Sequence, residues 1–182
     1  MKRKISRQQL KLGLFFTSDS HFGHDNIRKF CKRPFEDLHD MHKNFTENWN
    51  NVVGENSIVV HAGDLSLTTN FERYIEQLNG NIILVQGNHD NVKESQLHHF
   101  DLVCDLLDLT IDKKYFVTVC HYPMLSWNKS HHGAWQLHGH THTSENDIRD
   151  FRMSVGVDAN NYTPISWEDI VQKFEEYKNN LE

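Results

Sequence analysis

Five short blocks of aspartate, histidine and asparagine punctuate this 182-residue chain, and each follows a run of apolar residues. Leu14-Phe15-Phe16 leads into Asp19-Ser20-His21, and Ile58-Val59-Val60 into His61-Ala62-Gly63-Asp64. Ile83-Leu84-Val85 leads into Gly87-Asn88-His89-Asp90, and Val117-Thr118-Val119-Cys120 into His121. Trp135-Gln136-Leu137 leads into His138-Gly139-His140-Thr141-His142. Imidazole, carboxylate and amide donors without a thiolate describe a borderline-hard metal site. Asp19, His21, Asp64, Asn88, His121, His140 and His142 are too many ligands for one tetrahedral zinc. They suit two ions about 3.5–4 Å apart that share a carboxylate. Such a pair clamps a phosphate oxygen and acidifies a water, and a nearby histidine can protonate the leaving oxygen.

The blocks differ in information. Chance alone yields about one D-x-H in a chain of this composition, so Asp19-Ser20-His21 means little by itself. Asp37-Leu38-His39 and Asp40-Met41-His42 match it too, within a helical pattern and with no preceding strand. A G-H-x-H is expected about 0.05 times and a G-N-H-D about 0.005 times. Their occurrence in order, each after an apolar run, is the informative signal.

The apolar runs are strand-sized: Leu12–Thr17, Ser57–Val60, Ile82–Val85, Leu102–Leu107, Tyr115–Val119, Trp135–Leu137 and Met153–Val157. Continuous runs of this kind suit strands covered on both faces. Between them lie helical stripes. Leu38, Met41, Phe45, Trp49 and Val52 predict a helix near 36–53. Phe71, Tyr74, Ile75 and Leu78 predict a shorter one, with a Thr69/Glu72 capping box before it and Gly80 after it. Ser166 and Asp169 cap a C-terminal helix facing inward through Ile170, Val171, Phe174 and Tyr177. A brief helix is expected near 24–31. Strands interleaved with helices make an α/β layered domain. In such sheets ligands bind where carboxyl ends of strands meet loops, so strands lying side by side would gather the five blocks in one crevice.

Composition removes other classes. With 19 basic and 25 acidic residues, the formal charge of −6 argues against an obligatory nucleic-acid partner. The N-terminal Lys2, Arg3, Lys4, Arg7 and Lys11 make only a short basic cluster. No run reaches a membrane span, and no signal-peptide core is present. Cys31, Cys104 and Cys120 fit neither a disulfide framework nor a CxxC metal site, as expected of a reducing cytoplasm. No repeat or linker divides residues 1–182, which reads as one domain. The 14 histidines are the compositional excess.

The ordered blocks D-x-H, G-D, G-N-H-D, H and G-H-x-H resemble those of the calcineurin-like metallophosphoesterases, over about Leu12 to His142. Ser18–Ile27, Ser126–His132 and Gly156–Pro164 are similar to a small bacterial and phage subgroup of that family. The resemblance implies a layered sandwich of two mixed β-sheets flanked by helices. It implies that Asp19, His21, Asp64 and His142 hold a first metal, and that Asp64 bridges to a second completed by Asn88, His121 and His140. His89 would be the general acid. The ions would be divalent, manganese foremost, with iron, zinc or nickel as alternatives. One position departs from the family. Where many members have G-D-x-x-D, with the later Asp orienting the catalytic histidine, this chain has Leu67. His89 is then expected to be a weaker acid catalyst unless another group substitutes.

His24 and Arg33 are candidate contacts to substrate phosphate. Lys129, His131 and His132 could do likewise from their loop. His61 and His138 read as supports packed behind the ligands, and His39, His42, His98 and His99 as surface residues. Asp158 and Tyr162 read as turn-forming, with Asp158 also able to orient a ligand histidine. The expected function is hydrolysis of a P–O bond in a small phosphorylated substrate, phosphodiesters before phosphomonoesters. A catalytically degenerate metal-binding scaffold is the alternative from another class, and the filled ligand positions weigh against it.

Overall fold

Runs of Val, Ile, Leu and Phe need cover on both sides, and two stacked sheets with helices outside one of them supply it. The computed structural model describes residues 1–145 and 148–181. Its first sheet contains β2 (Leu14–Thr17), β3 (Ile58–His61), β4 (Asn81–Val85) and β5 (Leu102–Cys104), all parallel, with β10 (Ile165–Ser166) antiparallel beside β2. The second sheet runs in the order β1 (Lys2–Ile5), β6 (Leu107–Ile111), β7 (Tyr115–Val119), β8 (Trp135–His138) and β9 (Arg152–Ser154). Only its β6–β7 pair is antiparallel. The helices are α1 (Arg7–Leu10), α2 (Asp25–Phe30), α3 (Leu38–Val52), α4 (Glu72–Ile75) and α5 (Trp167–Asn179). The expected α/β sandwich of two mixed sheets is the observed architecture.

Strand alternation sorts the first sheet's residues between two cores. Phe16, Val60 and Ile83 face the second sheet and meet Leu109, Val117 and Leu137. The helix α5 closes this core with Ile170 and Phe174, whose ring stacks on Trp135 at 4.2 Å between centroids. Val59, Ile82 and Leu84 face the other way, against Met41, Phe45 and Trp49 of α3. Among the described residues no helix is long and apolar enough to cross a membrane.

Several expectations shift. The Leu102–Leu107 run is not one strand: it breaks at Asp105–Leu106, where the chain leaves the first sheet as β5 and enters the second as β6. Within α3, Val52 is exposed and Val53, just beyond the helix, is buried in its stead. The Thr69/Glu72 capping box does not form; the N-cap of α4 is Phe71, which makes no side-chain cap hydrogen bond. Glu72 instead accepts a hydrogen bond from Gln96 Nε2 at 2.5 Å, and the same nitrogen donates to the Thr69 carbonyl. The C-terminal helix begins as expected, with Ser166 Oγ accepting from the Asp169 amide. Two strands had no apolar run to reveal them: basic β1 and two-residue β10.

Candidate metal centre

The five blocks do converge, but not from neighbouring strands of one sheet. Asp19 and His21 follow β2, Asp64 follows β3, and Asn88 and His89 follow β4; His121 follows β7, while His140 and His142 follow β8. Three strand ends of one sheet thus face two of the other across their common edge.

Around Asp64 the donor atoms draw close. Its Oδ2 lies 3.5 Å from His21 Nε2 and 3.4 Å from His121 Nε2. On one side, His21 Nε2 is 3.3 Å from His142 Nε2, which is 3.9 Å from Asp19 Oδ1. On the other, His121 Nε2 is 3.2 Å from Asn88 Oδ1, and the His140 ring stands 5.0 Å from that of His121. Donors held about 2.1 Å from a metal are about 3.4 Å apart in a tetrahedron and about 3.0 Å in an octahedron. The spacings therefore fit donors aimed at shared cations. Asp19, His21 and His142 form one group with donor atoms within 4.8 Å, and Asp19, Asp64 and His121 another.

Charge points the same way. Asp19 and Asp64 are 0% and 2% exposed. Among the described residues no Lys or Arg side chain pairs with either carboxylate. Burial pushes Asp19 above the usual carboxylate range despite its hydrogen bond from Ser18. Burial also works against Asp64, but hydrogen bonding to His121 and from the His89 amide outweighs it and holds this group below that range. Two buried carboxylates this close need a positive charge between or beside them.

The imidazoles are pre-set for the same task. The His142 Nδ1 pairs with Asp158 Oδ2 at 2.9 Å, and His121 Nδ1 with the Ala62 carbonyl at 2.9 Å. Each ring thus donates from Nδ1 and turns the Nε2 lone pair inward, as ligating histidines do. Burial disfavours charge on His142, but Asp158, Cys31 and the Asp19 charge outweigh it and carry the metal-free ring up to about 10, so a cation held there would displace the Nε2 proton. Asp158 is held in turn by Arg33.

Backbone strain recurs at the candidate ligands. Asp19, His21, Asp64, His140 and His142 all have φ between 46° and 70°, a left-handed conformation that costs a non-glycine residue on the order of 1 kcal/mol. Glycine lets the blocks touch: a Cβ on Gly87 would meet Asp64 Oδ1 at 2.2 Å, and one on Gly139 would meet Asp19 Oδ2 at 2.6 Å.

The remaining expectations divide. His89 stands at the crevice with its side chain 40% exposed and Nε2 3.9 Å from Asp64 Oδ2. Leu67 points outward at 44% exposure, and among the described residues no carboxylate takes up the orienting role through a hydrogen bond to the His89 ring. His24 Nδ1 lies 3.5 Å from His21 Nδ1, and its ring faces that of His89 at 6.4 Å, at the crevice wall. Arg33 is a correction. Its side chain is fully buried; its donors are taken by Asp158, by the carbonyls of Asp19 and Ser20, and by Met41 sulfur. It fastens the first block to Asp158 rather than reaching for phosphate. His42 is another: it is no surface residue, since Nε2 accepts the Gly23 amide and the ring packs on Tyr74. His61 is fully buried with Nε2 on Ser20 Oγ, behind the ligands.

Two residues had no assigned part. Asp90, the last letter of G-N-H-D, accepts the backbone amides of Asp64, Leu65 and Gly87 and locks the second block to the third. Tyr122 follows His121, with its ring 4.7 Å from His140 and its hydroxyl 3.4 Å from Asn88 Oδ1. A tyrosine next to a predicted ligand was the available signal.

No family model matches the chain. A solved structure of the protein of unknown function AQ665 from Aquifex aeolicus shares the fold, with a TM-score of 0.73 and 25% identity over 88% of this chain and 98% of its own. A second solved chain, a novel archaeal phosphodiesterase, overlays at a TM-score of 0.46 with 21% identity, covering 79% of this chain and 81% of its own, too loosely to bear on function. The uncharacterized protein MJ1445 of Methanocaldococcus jannaschii is 34% identical over 175 residues, covering 91% of this chain and 93% of the relative. At that identity and coverage, the chain belongs to the same family as MJ1445.

Proposed function

We propose that this protein is a binuclear metallophosphoesterase that hydrolyses a P–O bond in a small phosphorylated substrate, phosphodiesters foremost. The observation that carries the proposal is the position of Asp64 Oδ2 between His21 Nε2 and His121 Nε2, at 3.5 and 3.4 Å. A carboxylate oxygen within reach of two histidines is what a bridging ligand of a two-ion site requires.

In this proposal Asp19, His21, Asp64 and His142 hold one divalent ion, and Asp64, Asn88, His121 and His140 the other. The ions supply Lewis acidity and a nucleophilic oxygen at neutral pH. Asp158 and Ala62 fix which nitrogen His142 and His121 present. His89, on the open side of Asp64, is placed to protonate the leaving oxygen through its ring. Among the described residues no carboxylate is hydrogen-bonded to that ring to orient it, so rates are expected to depend steeply on leaving-group pKa. The proposed setting is a reducing cytoplasm, with manganese as the leading candidate among iron, zinc and nickel.

The test is metal analysis joined to turnover. About two ions per chain are expected, with hydrolysis of an aryl phosphodiester once manganese, nickel, zinc or magnesium is added in turn. Replacing His89 with Asn should lower kcat by about 10²–10⁴-fold for poor leaving groups while the metal content stays unchanged. A chain that binds one ion or none, or that turns over neither diester nor monoester with any metal, overturns the proposal.

A further inference from the structure

Beside His89 lies a pocket of about 230 Å³ that none of the metal-ligand candidates lines. Its wall includes Leu67, Phe71 and Val92, with Thr68, Thr69 and Asn91 among its polar members. Phe71 is buried in the helix-side core, and Val92 packs against that core, so the apolar wall is anchored. No Lys or Arg lines the pocket. Its carboxylate, Asp90, is occupied by the backbone amides of Asp64, Leu65 and Gly87. Asn91, among its polar members, is exposed. A larger groove of about 720 Å³ meets the centre at His142 instead, and Arg149 and Arg152 are among its lining residues.

We propose that the pocket at His89 receives the alcohol half of the substrate and selects an uncharged, partly apolar leaving group, with Leu67 as its specificity-determining wall. The inference rests on the phosphoesterase reading and deepens it. His89 is the candidate proton donor, so the oxygen it serves must lie within hydrogen-bond reach of its ring. Whatever is bonded to that oxygen then extends into the space beside His89, against Leu67 and Val92. A charged group placed there would leave water without a partner of opposite sign, which an apolar wall penalises strongly. Leu67 stands where many members of the resembling family carry an aspartate. In this chain the position forms surface contact for a ligand instead of a hydrogen bond to the histidine. The reaction balances with water alone. A water-derived oxygen bonds to phosphorus, the bond to the leaving oxygen breaks with its electron pair, the His89 proton makes that oxygen a neutral alcohol, and the proton lost by the water restores His89. A phosphate monoester is the other product.

Two measurements separate the pocket from the reaction. In the first, 4-hydroxybenzamide and 4-hydroxybenzoate are titrated into the isotopically labelled zinc-loaded chain, and backbone amide shifts are followed. The benzamide is expected to move the amides of Leu67, Asn91 and Val92 and to bind about tenfold or more tightly than the benzoate. If neither compound moves these amides, or both do equally, the pocket assignment is overturned. In the second, the methyl phosphodiesters of the same two phenols are compared. The neutral one should have the higher kcat/KM by about tenfold, and Leu67→Arg should abolish or invert that preference. A preference unchanged in Leu67→Arg overturns the role of Leu67. Equal turnover of both diesters by the unaltered chain overturns the pocket alone, whereas turnover of neither with any metal overturns the phosphoesterase reading.

Discussion

Asp158 shows how much of the candidate centre can depend on a residue outside its proposed ligand set. It lies 16 positions after His142 and 125 after Arg33, and holds both. Burial opposes its charge, but His142 and Arg33 together keep it below the usual carboxylate range. Substituting Asp158→Asn keeps the shape while removing the charge that fixes the His142 tautomer. Metal affinity should fall about 10–100-fold, as when such partners are lost elsewhere. A competition titration with a chromogenic chelator reads this directly, and an unchanged affinity would refute the role. The sequence singled out the candidate ligands at this scale because the blocks are rare in combination. It misassigned Arg33, because a guanidinium before Pro34 looks the same whether it will grip phosphate or a buried carboxylate 125 residues away.

Loops here are pinned by elements that carry no ligand themselves. The helix α3 reaches the first block through His42, whose Nε2 accepts the Gly23 amide at 3.0 Å. Burial, with the positive charge of Arg73 and His39 added, lowers His42 to about 4. The sign follows: between the ordinary value of about 6.5 and that of the fold, the unfolded chain binds more protons, so stability falls as pH drops through this window. Urea midpoints at about pH 7 and about pH 5 should therefore fall further apart in the natural chain than in His42→Gln, which keeps an acceptor but does not titrate. Equal differences would exclude the contribution. The stripe of α3 and the capping of α5 were legible because local periodicity decides both. The capping box at Thr69 was locally as good, yet Gln96, distant in sequence, took Glu72 from it. The break at Asp105–Leu106 was hidden for a related reason. Apolar residues on either side suit either sheet, and only tertiary pairing decides where one ends.

At the scale of the whole molecule, the two sheets are joined by the apolar core between them and also by the candidate centre at their common edge. A ligand that binds only the folded chain raises its stability by RT ln(1 + [L]/Kd), about 2.7 kcal/mol at a hundredfold excess over Kd. The melting temperature should accordingly rise with added manganese or zinc and fall with a chelator, and Asp64→Ala should remove most of that dependence. A melt indifferent to metal in the natural chain would contradict the site. The fold class was readable from continuous apolar runs alternating with amphipathic stripes. That the ligand-bearing strands divide three and two between sheets was not, because strand neighbours are settled by pairing across long sequence separations. That division also orders events in the life of the chain. Asp19, His21, Asp64 and Asn88 come from the first sheet, and His121, His140 and His142 are placed only when the second has formed and docked. A nascent chain with only its first sheet would offer two carboxylates, one imidazole and one amide oxygen, a poor trap for a transition ion. If the centre holds metal as proposed, loading would wait until folding is complete, and a misassembled molecule would not acquire it.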